Sequence, residues 1–196
     1  VKVDESNPKF PMNFYGGSKL IFEEILIEKV REFNLSAAIL RYFNAAGADD
    51  SGLIGEYHKY ETHLIPSIFN NLIGKKNSLK IYWDGTCVID YIHVSDLVHA
   101  HYLAFKKITS EKGCFDCNLG NSNGFFILEI IKVCELITKK KVNYKFVDKR
   151  KGEPAYLVVD CTKAISELKW ITKHSDINRI VKSAWQWHSR IYNEII

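Results

Sequence analysis

Tyr15 and Lys19 stand four residues apart in the run Tyr15-Gly16-Gly17-Ser18-Lys19. That spacing places two side chains on one face of a helix. A nearby ammonium favours the phenolate form of a tyrosine. Such a phenol can take a hydroxyl proton as hydride leaves the same carbon. An ordinary aromatic–lysine surface pair has the same spacing, and the motif alone does not separate the two. Cys114 and Cys117 form a C-x-x-C, but no second pair or nearby histidine cluster completes a zinc site, so strand packing is the expectation. His93, His99 and His101 converge on no ligand set, and no metal is expected.

The elements that must carry these residues follow from hydrophobic period. Lys19 to Phe33 places Leu20, Glu23, Glu24, Ile27 and Val30 at helical spacing, with Ile21, Ile25 and Leu26 widening the apolar face. Ser36 to Phe43 predicts a strand buried on both faces, as in parallel sheets. Asn44 to Gly55 is turn-rich. A short helix over Leu64 to Leu72 tolerates Pro66 in its first turn. Strands are predicted over Leu79 to Trp83 and Val88 to Val94, with the Asp84-Gly85 turn between them. Ser95 or Asp96 is expected to cap a helix running to about Lys107. Beyond it come a strand over Cys114 to Leu119, a helix over Ile127 to Thr138 and a strand over Asn143 to Val147. Helices over Thr162 to Leu168 and Asp176 to Ile191 close the chain, and the alternation implies α/β layers.

Composition narrows the class. The 196 residues are 46% hydrophobic and 26% charged, an ordinary globular balance that excludes coiled coil and low-complexity disorder. No stretch approaches the roughly 18 unbroken apolar residues of a membrane span. Lys and Arg total 27 against 23 Asp and Glu, a net +4 too mild to argue for nucleic acid. Five scattered cysteines fit reduced cytosolic thiols and a cytoplasmic location.

Several segments in order carry a resemblance. They are Tyr15 to Lys19, Leu40-Arg41-Tyr42-Phe43-Asn44, Ala46-Gly47-Ala48, and Glu61-Thr62-His63-Leu64-Ile65-Pro66. Asp84-Gly85-Thr86, Asp90 through Leu97, and Arg150-Lys151-Gly152-Glu153-Pro154-Ala155 complete them. From about Pro11 to His188 the chain resembles the UDP-glucose 4-epimerases of the extended short-chain dehydrogenase/reductase family. The resemblance implies the later part of a Rossmann-like doubly wound parallel sheet plus a small α/β substrate-binding lobe. Residues 1–48 and 87–119 would belong to the NAD-binding part, and 49–86 and 120–196 to the UDP-sugar lobe. By the same resemblance Tyr15 is the catalytic acid/base, and Lys19 binds the nicotinamide ribose of NAD and tunes it. Tyr42 and Phe43 would lie near cofactor and sugar, and Asn44 would bind the UDP portion. His63, where asparagine is usual, and Leu64 would contact phosphate, and Tyr91 would support the nucleotide. Arg150 would grip the diphosphate and Glu153 the uridine ribose, roles that suit a guanidinium fork and a carboxylate. The implied substrates are UDP-glucose and UDP-galactose, interconverted through a 4-keto sugar.

Two departures shape the expectation. Ile89 stands where the family usually has an arginine, and losing a charge-assisted contact costs about 1.5–3 kcal/mol. The chain also holds no G-x-x-G-x-x-G turn, the device whose amides and helix N-terminus hold a dinucleotide pyrophosphate. That turn, a ribose-binding acid and a serine assisting the tyrosine are expected upstream of Val1. The chain is therefore expected to be truncated, inactive alone and marginally stable, with open strand edges. A separate N-terminal half or a homodimer is the expected partner. The alternatives are a non-catalytic remnant, one chain of a split epimerase, or a related NAD-dependent sugar-nucleotide dehydratase or decarboxylase.

Overall fold

A computed structural model describes residues 2–149 and 155–195. The first helix, α1 (Phe14–Glu32), begins at Phe14 rather than Lys19. Asn13, in extended backbone, caps it by accepting the Gly16 N–H at 2.8 Å. One orphan donor of the first turn is thereby satisfied. Gly16 and Gly17 are poor helix formers and masked this start in the sequence.

β1 (Ser36–Tyr42), β2 (Asn44–Ala46), α2 (Leu64–Leu72), β3 (Leu79–Tyr82), β4 (Val88–His93) and α3 (Val94–Ser110) follow in turn. The chain continues through β5 (Gly113–Leu119), β6 (Gly124–Phe126), α4 (Ile127–Thr138), β7 (Tyr144–Val147) and β8 (Tyr156–Leu157). It ends in α5 (Thr162–Leu168) and α6 (Ile177–Ile195). Asn44 to Ala46, expected within a turn-rich stretch, is a strand because its backbone pairs with β4. Strands β6 and β8 are too short to show any periodicity, so no apolar pattern marks them.

Parallel pairing dominates, as an α/β fold requires. β1 pairs with β5 from Ser36↔Gly113 to Tyr42↔Leu119, β2 with β4 and β3 with β7. β4 also takes β6 antiparallel and β8 parallel. Residues alternate faces along a strand, and β1 uses both. Arg41 meets Glu23 of α1 on one face, while Ala38 and Leu40 pack on the other with Leu97, Ala100 and Ala104 of α3. Helices thus cover both faces of the β1–β5 pair.

The expectation that Ser36 to Phe43 is buried throughout is corrected. Ile39 alone in β1 is buried, and Tyr42 is exposed, because β5 is the strand's only partner among the described residues. Two cores result. One gathers Ile65, Ile68, Phe69, Ile81, Tyr91, Ile130 and Ile180. The other gathers Ile92, Leu97, Ala100, Phe115, Cys117, Leu119 and Trp170. β4 feeds both, since Tyr91 and Ile92 point opposite ways.

Buried acid hydrogen bonds lock the second core. Asp96 accepts the backbone N–H groups of Lys173 and His174, each at 2.9 Å, and the Ser175 hydroxyl at 2.6 Å. The Trp170 indole donates to the Asp96 carbonyl at 3.0 Å. Asp96 is therefore no cap. The N-cap of α3 is His93, whose Nδ1 accepts the Ser95 N–H at 3.1 Å.

Candidate functional site

Tyr15 and Lys19 lie in the first two turns of α1. The Lys19 ammonium stands 5.1 Å from the Tyr15 ring centroid, and 72% of Tyr15 is exposed. Below them Glu23 ties the helix to the sheet. Arg41 donates from Nε and Nη2 to the two Glu23 oxygens at 2.6 and 2.8 Å, and Lys9 adds a bond at 2.8 Å. Burial works to raise the Glu23 carboxyl, but the Arg41 and Lys9 hydrogen bonds outweigh it and hold the group below the usual range. The base of the helix is thus clamped while the Tyr15–Lys19 face stays open.

The end of β1 supplies the next residues. Tyr42 is exposed, its ring 6.1 Å from that of His101. Phe43 is half-buried against the second core, with its N–H donated to the Leu119 carbonyl. Asn44 follows in β2, in register with Tyr91, and donates Nδ2–H to the Asp90 carbonyl at 2.8 Å. Tyr91 is buried in the first core, and burial pushes its phenol well up, so it stays protonated. Ile89 is half-buried and packs against the first core. Arg150 and Glu153 lie outside the described residues.

Asp90 and His93, three residues apart on β4, are both buried. Asp90 accepts the Asn121 N–H at 2.8 Å and the Val159 N–H at 3.2 Å. Burial raises its carboxyl to about 6. His93 shares a hydrogen bond with the Ser183 hydroxyl at 3.1 Å, and burial lowers its imidazole. Since Nδ1 accepts from Ser95, Nε2 carries the hydrogen. A Cβ on Gly47, at φ +85°, would come within 2.5 Å of the His93 ring, so this turn requires glycine. His93 and His101 make protein contacts through ring nitrogens: His93 with Ser95 and Ser183, and His101, through Nδ1, with the Leu97 carbonyl.

His63 is the N-cap of α2 and makes no side-chain cap bond, and Leu64 opens the helix half-buried. Instead His63 Nδ1 meets Glu56 Oε1, which also contacts His58 Nε2 at 2.9 Å. The sequence reading missed this group, although its Glu-x-His-x4-His spacing was visible. Cys114 is exposed and Cys117 buried on β5, three residues apart and so on opposite faces, with the burial-raised thiol of Cys117 at about 12. Packing, as expected, is the role of Cys117.

Against known proteins, a family profile described as the NAD dependent epimerase/dehydratase family matches residues 2–120. The chain is 38% identical over 194 residues to the UDP-glucose 4-epimerase of Halalkalibacterium halodurans, covering 96% of this chain and 58% of the relative. It is 39% identical over 196 residues to the UDP-glucose 4-epimerase of Rhizobium meliloti, covering 97% and 60%. Among solved structures, the Brucella ovis UDP-glucose 4-epimerase in complex with NAD superposes with a TM-score of 0.90 at 37% identity, over 94% of this chain and 59% of that one. The Stenotrophomonas maltophila enzyme, with bound NAD and formylated UDP-arabinopyranose, gives 0.91 at 33% identity over 97% and 59%. The chain thus spans about three-fifths of the length of the relatives it matches. No helix among the described residues is long and apolar enough to cross a membrane.

Proposed function

This chain belongs to the NAD dependent epimerase/dehydratase family, and we propose that it is the tyrosine-bearing part of a UDP-glucose 4-epimerase. The observation that carries this reading is the Tyr15–Lys19 pair, open on one face of a clamped helix. In this role the Tyr15 oxygen takes the proton of the sugar 4-hydroxyl and later returns it. Lys19 stabilises the phenolate through its charge and holds the nicotinamide ribose.

NAD, when bound, accepts and returns the sugar hydride. The residues present suit its nicotinamide end, where an exposed phenol and ammonium stand together. Its pyrophosphate end falls to the segment that completes the protein. Tyr42 and Phe43 flank cofactor and sugar. Asn44, one amide N–H donated to the Asp90 carbonyl, offers its carboxamide oxygen to the UDP portion. Tyr91 backs Asn44 from within the core. His63 and Leu64, at the N-terminus of α2, meet phosphate, since helix N-termini attract anions. Arg150 and Glu153 complete the set at diphosphate and uridine ribose. The two-lobe division, 1–48 with 87–119 and 49–86 with 120–196, draws support from the two cores. The exceptions are residues 159–170, which pack with the first of those lobes, and Ala46, Ile89 and Tyr91, which pack with the second.

A separate or preceding N-terminal half, rather than a second copy, is the partner we propose. Three observations support it: the edge of β1 left unpaired among the described residues, exposed Ile21, Phe22 and Ile25 on α1, and exposed Val98, Tyr102 and Phe105 on α3. The test joins the N-terminal segment of the Halalkalibacterium relative to this chain and supplies NAD and UDP-galactose. The joined protein should form UDP-glucose, and Tyr15→Phe should lower the rate by about a hundredfold or more. A Tyr15→Phe protein as fast as its parent overturns the assignment.

A further inference from the structure

We propose that Glu56, His58 and His63 form a binding site for a divalent transition metal ion, with zinc the best match. Glu56 Oε1, His58 Nε2 and His63 Nδ1 lie within 4.8 Å of one another. The carboxylate oxygen sits between both imidazoles, in contact with each. Zinc takes nitrogen and oxygen ligands at about 2.0–2.1 Å in tetrahedral array. Its ligand atoms therefore stand about 3.3 Å apart, and small side-chain rotations bring the three atoms to that spacing. Two imidazoles and one carboxylate select zinc, nickel or copper over magnesium and calcium, which prefer all-oxygen shells.

The backbone holding the three residues is fixed at both ends. The Trp187 indole donates to the Glu56 carbonyl at 3.1 Å, and Gly55 lies so close to that ring that a Cβ would stand 2.2 Å from it. His63 is anchored as the cap of α2, its carbonyl accepting the Ser67 N–H at 3.0 Å and its own N–H bonding Glu61. The intervening residues 57–62 form a loop between those anchors. Solvent reaches both imidazoles, so an ion has an entry path. Three protein ligands leave at least one coordination position for water or an anionic oxygen. With neutral imidazoles the loaded site carries net positive charge, which favours an anionic guest there.

The cluster shares His63 with the phosphate contact proposed above but no residue with the Tyr15–Lys19 pair, so a titration of metal alone, with no substrate or cofactor, tests the site separately from the proposed activity. The metal-free full chain is titrated with zinc chloride by calorimetry, and with cobalt by visible absorbance. One saturable zinc site and the ligand-field bands of four-coordinate cobalt are expected. His58→Ala and His63→Ala should each weaken zinc by about tenfold or more, while Cys114→Ser, which removes the exposed thiol, should leave it unchanged. Both histidines are solvent-exposed, and circular dichroism of each variant against the parent verifies the fold. If a substitution at His63 perturbs α2, His58→Gln provides the same test away from a helix. No saturable binding by the parent, or equal binding by the His58 and His63 variants, overturns the site.

Discussion

Arg41 and Glu23 meet through two parallel hydrogen bonds, Nε to Oε1 at 2.6 Å and Nη2 to Oε2 at 2.8 Å, joining the strand before Asn44 to the helix that carries Tyr15. A third arm, Nη1, reaches Asp116 of β5 at 2.9 Å. One guanidinium thus sets the angle of α1 on the sheet. Arg41→Lys keeps the charge but cannot span both partners with planar geometry. It should lower stability by about 1–3 kcal/mol, read as a reduced urea midpoint with unchanged slope. A midpoint equal to the parent's would show that the fork does not hold the helix.

Lys19 lies one turn from Tyr15 with its ammonium over the ring. Lys19→Met keeps the length of the side chain and removes the charge. In the protein joined to the relative's N-terminal segment, kcat should fall about tenfold to a hundredfold. A loss confined to KM, with kcat unchanged, would assign Lys19 to binding alone.

Asp96 is an acceptor for three donors from residues 173–175, and it is buried. In Asp96→Asn one terminal atom becomes a donor. The Ser175 hydroxyl can turn to accept it, but whichever way the amide lies, one backbone N–H loses its partner. An orphaned buried donor costs about 1–3 kcal/mol. Asp96→Ala loses all three and should cost more than the asparagine variant. Denaturation curves order the three proteins, and an asparagine variant as stable as the parent would contradict the account.

The long elements were legible because their apolar period is strong: α4 matches its expected span, and β4 and β5 differ from theirs by a residue at an end. The start of α1 was hidden by Gly16-Gly17, since propensity argues against a helix there while a cap three residues before Gly16 argues for one. β1 reads as a core strand by composition, yet burial depends on neighbours that composition cannot supply. At the site, spacing alone left Tyr15 and Lys19 indistinguishable from an ordinary surface pair, and only the order of the later segments singled them out. Asp90, His93 and Asp96 were not, because a motif names residue types without saying which acids turn inward. Glu56, His58 and His63 meet through a loop whose path is set by Trp187, far along the chain.

Asp90 and His188 carry opposite pH dependences over one window. Burial raises the Asp90 carboxyl from 3.8 to about 6, so the folded protein holds that proton more tightly than the unfolded chain. Its contribution to stability is full below about 4 and is lost as pH rises through 6. Burial lowers His188 from 6.5 to about 4, where its Nε2 sits among Phe69 and Trp185 without a hydrogen-bond partner among the described residues. Its contribution is full above 6.5 and is lost as pH falls through 4. Each shift spans roughly two units, or about 3 kcal/mol at 1.36 kcal/mol per unit, and between about pH 4 and 6 the two offset each other. His188→Phe removes the rising arm and the orphaned nitrogen. Its stability relative to the parent should therefore be greatest near pH 4 and decline steadily toward pH 6. Asp90→Asn removes the falling arm at the cost of one acceptor for the Asn121 or Val159 N–H, so it should be less stable than the parent at pH 4 and recover toward the parent's value by pH 6. Thermal melts of the three proteins across this range read the differences directly, and parallel profiles for parent and His188→Phe would refute the burial of the imidazole as the source of the shift.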